Sequence, residues 1–202
     1  MPELEQLRAD HAPAVLAFET VNRAYFAATI FDRGDAFFAE YPDRYRALLA
    51  EQEAGDCACY LLVAADGSVL GRFNLIDIAD RTAKLGYRVA EHATGRGLAT
   101  AAVERLCRLA RTRHGLSTLL AAAATGNAAS CRVLVKAGFT PVGPAGPADL
   151  GGKPGSWYRR DLADLGNAGE AGDPGTVGDA GAPGYPGYPG DPGDSGDGAG
   201  PG

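Results

Sequence analysis

The sequence feature that most constrains the fold is a predicted β-strand that leads through a glycine-containing turn into an amphipathic helix. Residues 82–90 are rich in strand formers, and from residue 97 to 114 the apolar period changes from two to about 3.6 residues. Gly95 and Gly97 lie in the turn between them. Such a turn directs several backbone N–H groups toward one point at the positive end of the helix dipole. We therefore predict that residues 88–100 bind a phosphate or pyrophosphate group.

The flanking segments predict an α/β domain built on a mixed sheet with helices on both faces. Before the turn, the pattern indicates helices at residues 10–22 and 35–53, the second with a break near Pro42, and a β-hairpin of residues 57–65 and 68–78 around Asp66–Gly67. After the central helix it indicates a strand at 117–124, a helix at 128–137, and strands at 139–142 and 156–161. The Pro/Gly-rich segment 143–155 is too long for a tight hairpin turn, so we expect a functional loop there.

Composition changes abruptly near Asp164, which predicts a folded domain over residues 1–164 and an acidic tail over residues 165–202. Glycine recurs at every third position from Gly166 to Gly196, and the residues from 166 onward include no lysine, arginine, isoleucine, leucine or phenylalanine. This composition cannot build a packed core, so we expect a disordered linker. The alternative is a collagen-like triple helix that trimerises the protein, since five prolines occupy the third position of the repeat.

Charge and cysteine content argue against several function classes. The tail carries six of the 25 acidic residues and none of the 19 Lys and Arg residues, so the folded part is formally neutral and no basic patch for nucleic acid is predicted. The four cysteines form no C-x-x-C pair, and with three histidines in the chain no metal site is predicted. The sequence shows no signal peptide or membrane span, from which we expect a cytoplasmic protein with reduced thiols.

Two common nucleotide-binding motifs do not match the turn. The dinucleotide fingerprint G-x-G-x-x-G/A fails at its sixth position, where Thr100 stands, and no acidic residue lies between Glu104 and Asp149 to bind a ribose. The P-loop sequence G-x-x-x-x-G-K-[ST] does not occur in the chain. A Rossmann-type or P-loop site is therefore not predicted.

Two motifs, at the expected separation and in the expected order, resemble the GNAT superfamily of N-acetyltransferases. Residues 92–97 are similar to its Q/R-x-x-G-x-G/A signature, and Asn127-Ala128-Ala129-Ser130 with Lys136-Ala137-Gly138-Phe139 is similar to its N-x-x-S…GF segment. With Leu85-Gly86-Tyr87 before the signature, residues 7–161 are most similar to the RimJ/RimL-type enzymes. The resemblance implies the GNAT fold and acetyl transfer from acetyl-CoA to a primary amine, with a protein N-terminal α-amine favoured. The alternatives are a small-molecule amine acetyltransferase and a non-catalytic acyl-CoA-binding protein.

The resemblance also implies how the cofactor lies. In the family, the strand before the signature and the strand after the helix splay apart, and pantetheine pairs with the free strand edge, here residues 87–90. The pyrophosphate would rest on backbone amides of the turn, while Asn127 and Ser130 would reach the pantetheine arm and the sulfur. The cofactor-binding residues implied in this way are Val89, Ala90, His92, Gly95, Arg96, Gly97, Leu98, Ala99, Thr100, Asn127 and Ser130.

Two departures from the family concern the chemical step. Lys84 stands where the family often carries a glutamate, which acts as the general base in some branches, and the tyrosine that many members place on the helix is missing. Ser130 is the only hydroxyl of that helix segment, so we expect it to donate to the leaving thiolate, although it can also bond locally within its helix. We expect Glu91 or Asp77 to remove the amine proton through ordered water.

Several of these residues also have plainer interpretations. Asn127 can be a helix cap, which is compatible with a cofactor contact, and Glu91 can be a solvated loop carboxylate. Lys84 lies on a predicted antiparallel strand and is expected to face solvent. Asn74 and Asp77, on the neighbouring strand, can either face water or orient an amine, and both roles remain open at this point.

Overall fold

The computed structural model describes residues 2–28, 30 and 32–165. The predicted tail therefore lies outside the described residues, apart from Leu165, which is partly buried against the core. The elements are, in chain order, β1 (Glu3–Gln6), α1 (Ala12–Val21), α2 (Arg23–Ala27), α3 (Gly34–Ala39), α4 (Tyr41–Ala54), β2 (Ala58–Val63), β3 (Val69–Ala79), β4 (Thr82–Val89), α5 (Leu98–Thr112), β5 (Thr118–Ala124), α6 (Ala128–Lys136), β6 (Thr140–Ala145) and β7 (Gly155–Asp161).

The predicted elements are present, with local differences that have physical causes. The helix predicted at residues 35–53 is two helices, α3 and α4, because Pro42 occupies the first turn of α4, where a missing N–H costs nothing. The hairpin of β2 and β3 is confirmed, but its turn runs from Ala64 to Ser68 rather than over two residues. Asp66 bonds to the Ser68 backbone N–H, and Gly67 adopts a φ of 84°, which together favour the longer turn.

Two short elements were not predicted. Strand β1 pairs with β2 in antiparallel register and buries Leu4. It was not predicted because its four residues are too few to show a clear alternation of apolar and polar side chains. Helix α2 follows α1 directly, with Asn22 between them. Among the described residues, no helix has both the length and the apolar content that a membrane crossing requires.

The seven strands form one sheet in the order β1-β2-β3-β4-β5-β7-β6, so the prediction of a mixed sheet is confirmed. Every neighbouring pair is antiparallel except β4 and β5, which are parallel. Their pairing begins at Thr82 and Thr118 and ends at Lys84 and Leu120. Beyond this point β5 pairs only with β7, and β4 pairs only with β3. The sheet therefore opens between β4 and β5.

Helices cover both faces of this sheet. Successive residues of a strand point to opposite faces, and on β4 Tyr87 contacts Ser130 of α6 whereas Arg88 contacts Glu19 of α1. We call the face covered by α6 the α6 face and the face covered by α1 the α1 face. Cys57, Cys59 and Cys107 are buried, and Cys131 is partly buried.

Candidate active site

The opening between β4 and β5 is the first component of the site. In the β3–β4 ladder, the Ala90 N–H donates to the Leu70 carbonyl at 2.9 Å. Because hydrogen-bonding direction alternates along an antiparallel strand, Tyr87 and Val89 direct their backbone N–H and C=O groups away from β3, toward the opening. Val89 therefore offers both groups at this free edge. Both backbone groups of Ala90 already have a partner, because its N–H donates to Leu70 and its carbonyl accepts the Ala93 N–H at 2.9 Å. A cofactor contact of Ala90 stays a prediction.

The glycine turn is the second component. It begins with a single 3-10 turn, Glu91–Ala93, and then passes through Gly95 and Gly97 with φ values of 73° and 75°. A Cβ atom at either glycine would meet no heavy atom of the described residues within 4 Å, so both face open space. The first backbone bond of α5 runs from Ala101 N–H to Gly97 O at 3.1 Å. The amides of Leu98, Ala99 and Thr100 precede it, so they have no carbonyl partner within the helix.

The surroundings of the turn are exposed, apart from one buried anchor. His92 and Arg96 are exposed, as is Glu91, which agrees with the plainer interpretation of Glu91 as a loop carboxylate. Asn22, at the end of α1, is buried; its side-chain oxygen accepts a hydrogen bond from the Glu91 N–H at 3.0 Å. Its amide group donates to the Phe18 carbonyl at 2.9 Å. Asn22 therefore fixes the start of the turn, a role that sequence reasoning missed because the two segments lie 69 residues apart.

A pair of hydroxyl groups forms the third component, at the N-terminus of α6. Asn127 caps this helix through a bond from the Ser130 N–H to its side-chain oxygen at 3.1 Å, so the capping interpretation is confirmed. The Tyr87 hydroxyl lies 2.9 Å from Ser130 Oγ. The Tyr87 ring is stacked on Phe73, with ring centroids 5.8 Å apart and planes 9° apart. Burial raises the pKa of Tyr87 to about 12 and outweighs the opposing hydrogen bond with Ser130.

Sequence reasoning placed Tyr87 on the strand edge expected to pair with pantetheine, but it gave the Tyr87 side chain no role. Alternation along β4 assigns it to one face of the sheet, but only the packing of α6 brings it against Ser130, which is 43 residues away in sequence.

Lys84 and Asp77 form an ion pair on the α1 face. The prediction that Lys84 faces solvent is wrong, because it is only 9% exposed and its Nζ lies 2.7 Å from Asp77 Oδ2. Helices cover both sides of the sheet, so alternation along β4 does not create a solvent face here. Asp77 lies in a bulge of β3 with a φ of 52°, and its side chain is 54% exposed. Asn74 is opposite Gly86, and its buried side-chain oxygen has no hydrogen-bond partner among the described residues.

A larger charge cluster lies under α1. The Glu19 carboxylate is 2% exposed, with Arg72 Nη1 at 2.7 Å, Arg88 Nη1 at 2.8 Å and Arg33 Nη1 at 3.9 Å. Burial alone raises the pKa of Glu19, but the charges of Arg88, Arg72 and Arg33 outweigh burial and lower it to about 2. We call these four residues the Glu19 cluster. No sequence pattern predicts it, because its members come from α1, β3, β4 and the segment before α3.

A sequence profile of the Acetyltransferase (GNAT) domain matches residues 3–140, which is more than half of the chain. The chain belongs to the GNAT acetyltransferase family. The opening between β4 and β5 followed by the glycine turn is thus the GNAT arrangement that the two sequence motifs implied. The prediction of an acetyl-CoA-dependent N-acetyltransferase is confirmed by this match.

Solved structures support the GNAT fold at low sequence identity. A ribosomal-protein-S5-alanine acetyltransferase from Vibrio fischeri is 19% identical, with a TM-score of 0.75 over 81% of this chain and 94% of that chain. Mycobacterium smegmatis RimJ, in complex with CoA-disulfide, is 21% identical, with a TM-score of 0.72 over 81% of this chain and 83% of that chain. A SpeG spermidine N-acetyltransferase variant from Vibrio cholerae is 15% identical, with a TM-score of 0.67 over 82% of this chain and 96% of that chain. No curated protein matches the chain by sequence.

The residues of this GNAT domain fit acetyl-CoA. A pyrophosphate needs a concave group of N–H donors without side chains in the way, and the open space at Gly95 and Gly97 provides that. A pantetheine arm carries amide groups that require backbone partners, and β4 has an unpaired edge. A thioester sulfur requires a nearby hydrogen-bond donor during cleavage, and the chain has two hydroxyls in contact. Among residues 2–28, 30 and 32–165, no group of His, Cys, Asp or Glu is arranged to hold a metal ion.

Proposed function

We propose that this GNAT enzyme acetylates a protein N-terminal α-amine, with attack of the amine directly on acetyl-CoA. The observation that carries the proposal is the opening where β4 and β5 stop pairing at Lys84 and Leu120. It has the hydroxyl pair on its α6 face and buried charges on its α1 face. An acetyl group held in this opening would be reached by the cofactor from one face of the sheet and by the acceptor from the other.

The cofactor contacts are assigned by combining the family motif with the free backbone groups. The pantetheine arm pairs with the N–H and C=O of Val89. The Ala90 carbonyl, which already accepts the Ala93 N–H, can accept a second hydrogen bond from the arm. The pyrophosphate accepts hydrogen bonds from amides of the glycine turn and the first turn of α5, next to the exposed side chains of His92 and Arg96. The amides that serve this role belong to Gly95, Arg96, Gly97, Leu98, Ala99 and Thr100. Asn127 fixes the N-terminus of α6 beside the pantetheine arm.

The chemical step requires a neutral amine and a stabilised thiolate. A free α-amine has a pKa of about 8, so a deprotonated fraction exists at neutral pH and a strong base is not needed. A water-linked carboxylate, Glu91 or Asp77, takes the proton as the C–N bond forms. The C–S bond then breaks, its electron pair moves to sulfur, and the Ser130 hydroxyl donates a hydrogen bond to the thiolate. Positioning of amine and thioester supplies much of the acceleration.

The charges of the α1 face support a peptide acceptor over a polyamine. In the Glu19 cluster, three guanidinium groups lie around one carboxylate, so this part of the face is rich in arginine. The Asp77 carboxylate, which would attract a polycation, is already paired with Lys84. A polycationic acceptor would be repelled here, whereas a peptide N-terminus brings carbonyl groups that accept hydrogen bonds from arginine.

Release of free thiol from acetyl-CoA, measured with matched acceptors, tests the proposed function. The panel contains peptides that begin with alanine or serine, the same peptides blocked at the α-amine, and spermidine. We expect turnover with the free peptides and little with the blocked peptides or spermidine. Preferred turnover of spermidine would identify a small-molecule amine acetyltransferase. Acetyl-CoA binding without turnover of any amine would identify the non-catalytic alternative, for which the Lys84–Asp77 pair in place of a glutamate is the structural argument.

A further inference from the structure

The side chain of Tyr87 connects β4 with α6. Its hydroxyl lies 2.9 Å from Ser130 Oγ and 3.4 Å from the Ser130 carbonyl oxygen, with Tyr87 as the donor in the longer bond. Stacking on Phe73 fixes the ring, and the two residues are opposite each other on neighbouring strands. The position of the Tyr87 hydroxyl is therefore fixed by packing within the sheet, independently of any ligand.

The direction of the hydrogen bond between the two hydroxyls matters for chemistry. A serine hydroxyl has one proton, so Ser130 can donate either to Tyr87 or to a third group, but not to both at full strength. A tyrosine whose pKa is raised to about 12 by burial stays protonated throughout the neutral range, so it is always able to donate. When Tyr87 donates to Ser130 Oγ, the Ser130 proton is free to point elsewhere.

We infer that Tyr87 is a positioning residue for departure of the thiol: it donates to Ser130 Oγ and so directs the Ser130 proton toward the cofactor sulfur. This inference rests on the proposed function. As the C–S bond breaks, the electron pair stays on sulfur and Ser130 donates a hydrogen bond to it. No proton leaves Tyr87. The thiolate departs as such, and the proton lost by the amine passes through water to the carboxylate of the proposed function, Glu91 or Asp77.

This arrangement compensates for the tyrosine that is missing from α6. The chain instead has Tyr87 on strand β4, and the hydroxyl of this tyrosine contacts Ser130 of α6. A purely structural alternative is that the hydroxyl only ties β4 to α6. The two roles differ in what they change. A positioning role lowers the rate of the chemical step while the melting temperature and the Kd for acetyl-CoA stay unchanged, whereas a structural tie lowers the melting temperature when it is lost.

The test is a double-mutant cycle measured as the single-turnover rate of acetyl transfer, together with the Kd for acetyl-CoA. Tyr87→Phe keeps the ring and its stacking, so we expect an unchanged Kd and a rate lower by about tenfold, the effect of one lost hydrogen bond. Ser130→Ala should lower the rate at least as much. The double variant should be no slower than Ser130→Ala alone. Tyr158→Phe is the matched control, because Cys131, the next residue of α6, and not Ser130, raises the pKa of the Tyr158 hydroxyl. The rate of this variant should be unchanged.

Independent effects of the two substitutions, or a full rate for Tyr87→Phe, would overturn the inference while leaving acetyl transfer itself established. A wild-type enzyme that transfers acetyl to none of the amines would instead refute the proposed function. If Tyr87→Phe lowers the melting temperature, Phe73→Leu separates packing from chemistry. It disturbs the stacking but keeps the hydroxyl, so under the inference it should slow the reaction less than Tyr87→Phe, and an equal or larger effect would overturn it.

Discussion

The side of the opening that we propose binds the cofactor, called here the cofactor side, and the α1 face are built in different ways. On the cofactor side, the glycine turn and the free edge of β4 present backbone groups, and the side chains of His92 and Arg96 are exposed. On the α1 face, the Glu19 cluster and the Lys84–Asp77 pair are buried or half-buried side-chain charges. A backbone site tolerates changes of side chain, which explains how His92 can replace the usual Gln or Arg. A buried charge cluster does not, because removal of one member takes a buried opposite charge away from the others.

The largest effect that this comparison predicts is on the stability of the α1 face. Glu19→Gln should lower the free energy of unfolding by roughly 3–5 kcal/mol, since it leaves buried guanidinium groups without their counter-charge. Urea unfolding provides the measurement, and Glu40→Gln is the control, because the Glu40–Arg44 pair is largely exposed at Glu40 and is worth less than about 1 kcal/mol. If both variants lose the same small amount of unfolding free energy, the buried Glu19 cluster contributes no more to stability than an exposed ion pair.

The same cluster predicts a pH dependence. The folded pKa of Glu19, about 2, lies below the value of about 4.3 for an unfolded glutamate. A lowered pKa contributes stability that is fully present above the unfolded value and is lost as the pH falls toward the folded value. The difference in unfolding free energy between wild type and Glu19→Gln should therefore be constant near neutral pH and shrink between about pH 4 and about pH 2. A difference that does not change across this range would contradict the assigned ion pairing.

On the cofactor side, bulk and charge in the turn should have the next largest effect. Gly97→Glu should weaken acetyl-CoA binding by about two orders of magnitude or more, because its side chain would occupy the open space and repel the pyrophosphate. Gly67→Glu is the matched control: Gly67 also has a positive φ and open space around it, but it lies in the β2–β3 hairpin turn. Calorimetry with acetyl-CoA compares the two. Unchanged affinity of a folded Gly97→Glu protein would place the cofactor elsewhere.

The two candidate bases lie on different sides of the comparison, Glu91 on the glycine turn and Asp77 on the α1 face. Glu91→Gln and Asp77→Asn should differ: the variant that removes the base shifts the acidic limb of the kcat pH profile and lowers kcat by about tenfold, a weak case of general-base catalysis. The other variant should match wild type. If neither variant shifts the acidic limb, the enzyme relies on amines that are already deprotonated in solution.

The smallest effect is expected outside both regions. Truncation after Leu165 removes the residues from 166 onward, which lack the apolar side chains needed for docking, and keeps Leu165 against the core. The melting temperature and kcat should therefore remain nearly unchanged. A trimer that becomes a monomer on truncation, seen by light scattering, would support the triple-helix alternative for the tail.

The glycine turn and the two helices that flank the proposed cofactor site could be predicted from sequence because their signals are local. A change of apolar period, two glycines and a cap residue at Asn127 are all read within a few positions. The α1 face could not be predicted in this way. Lys84 was expected to face solvent because strand alternation alone does not reveal that helices cover both faces of the sheet.

By itself, the sequence determined the order of the elements apart from β1 and α2, the glycine turn and the family. Each of these depends on residues close together in the chain or on motifs in fixed order. Only the tertiary structure decided the point at which β4 and β5 stop pairing, the contact of Tyr87 with Ser130, and the burial of Glu19 among arginines. The physical reason is that strand register and helix packing join residues 43 to 69 positions apart. No local propensity encodes such distances, and the packed core fixes them.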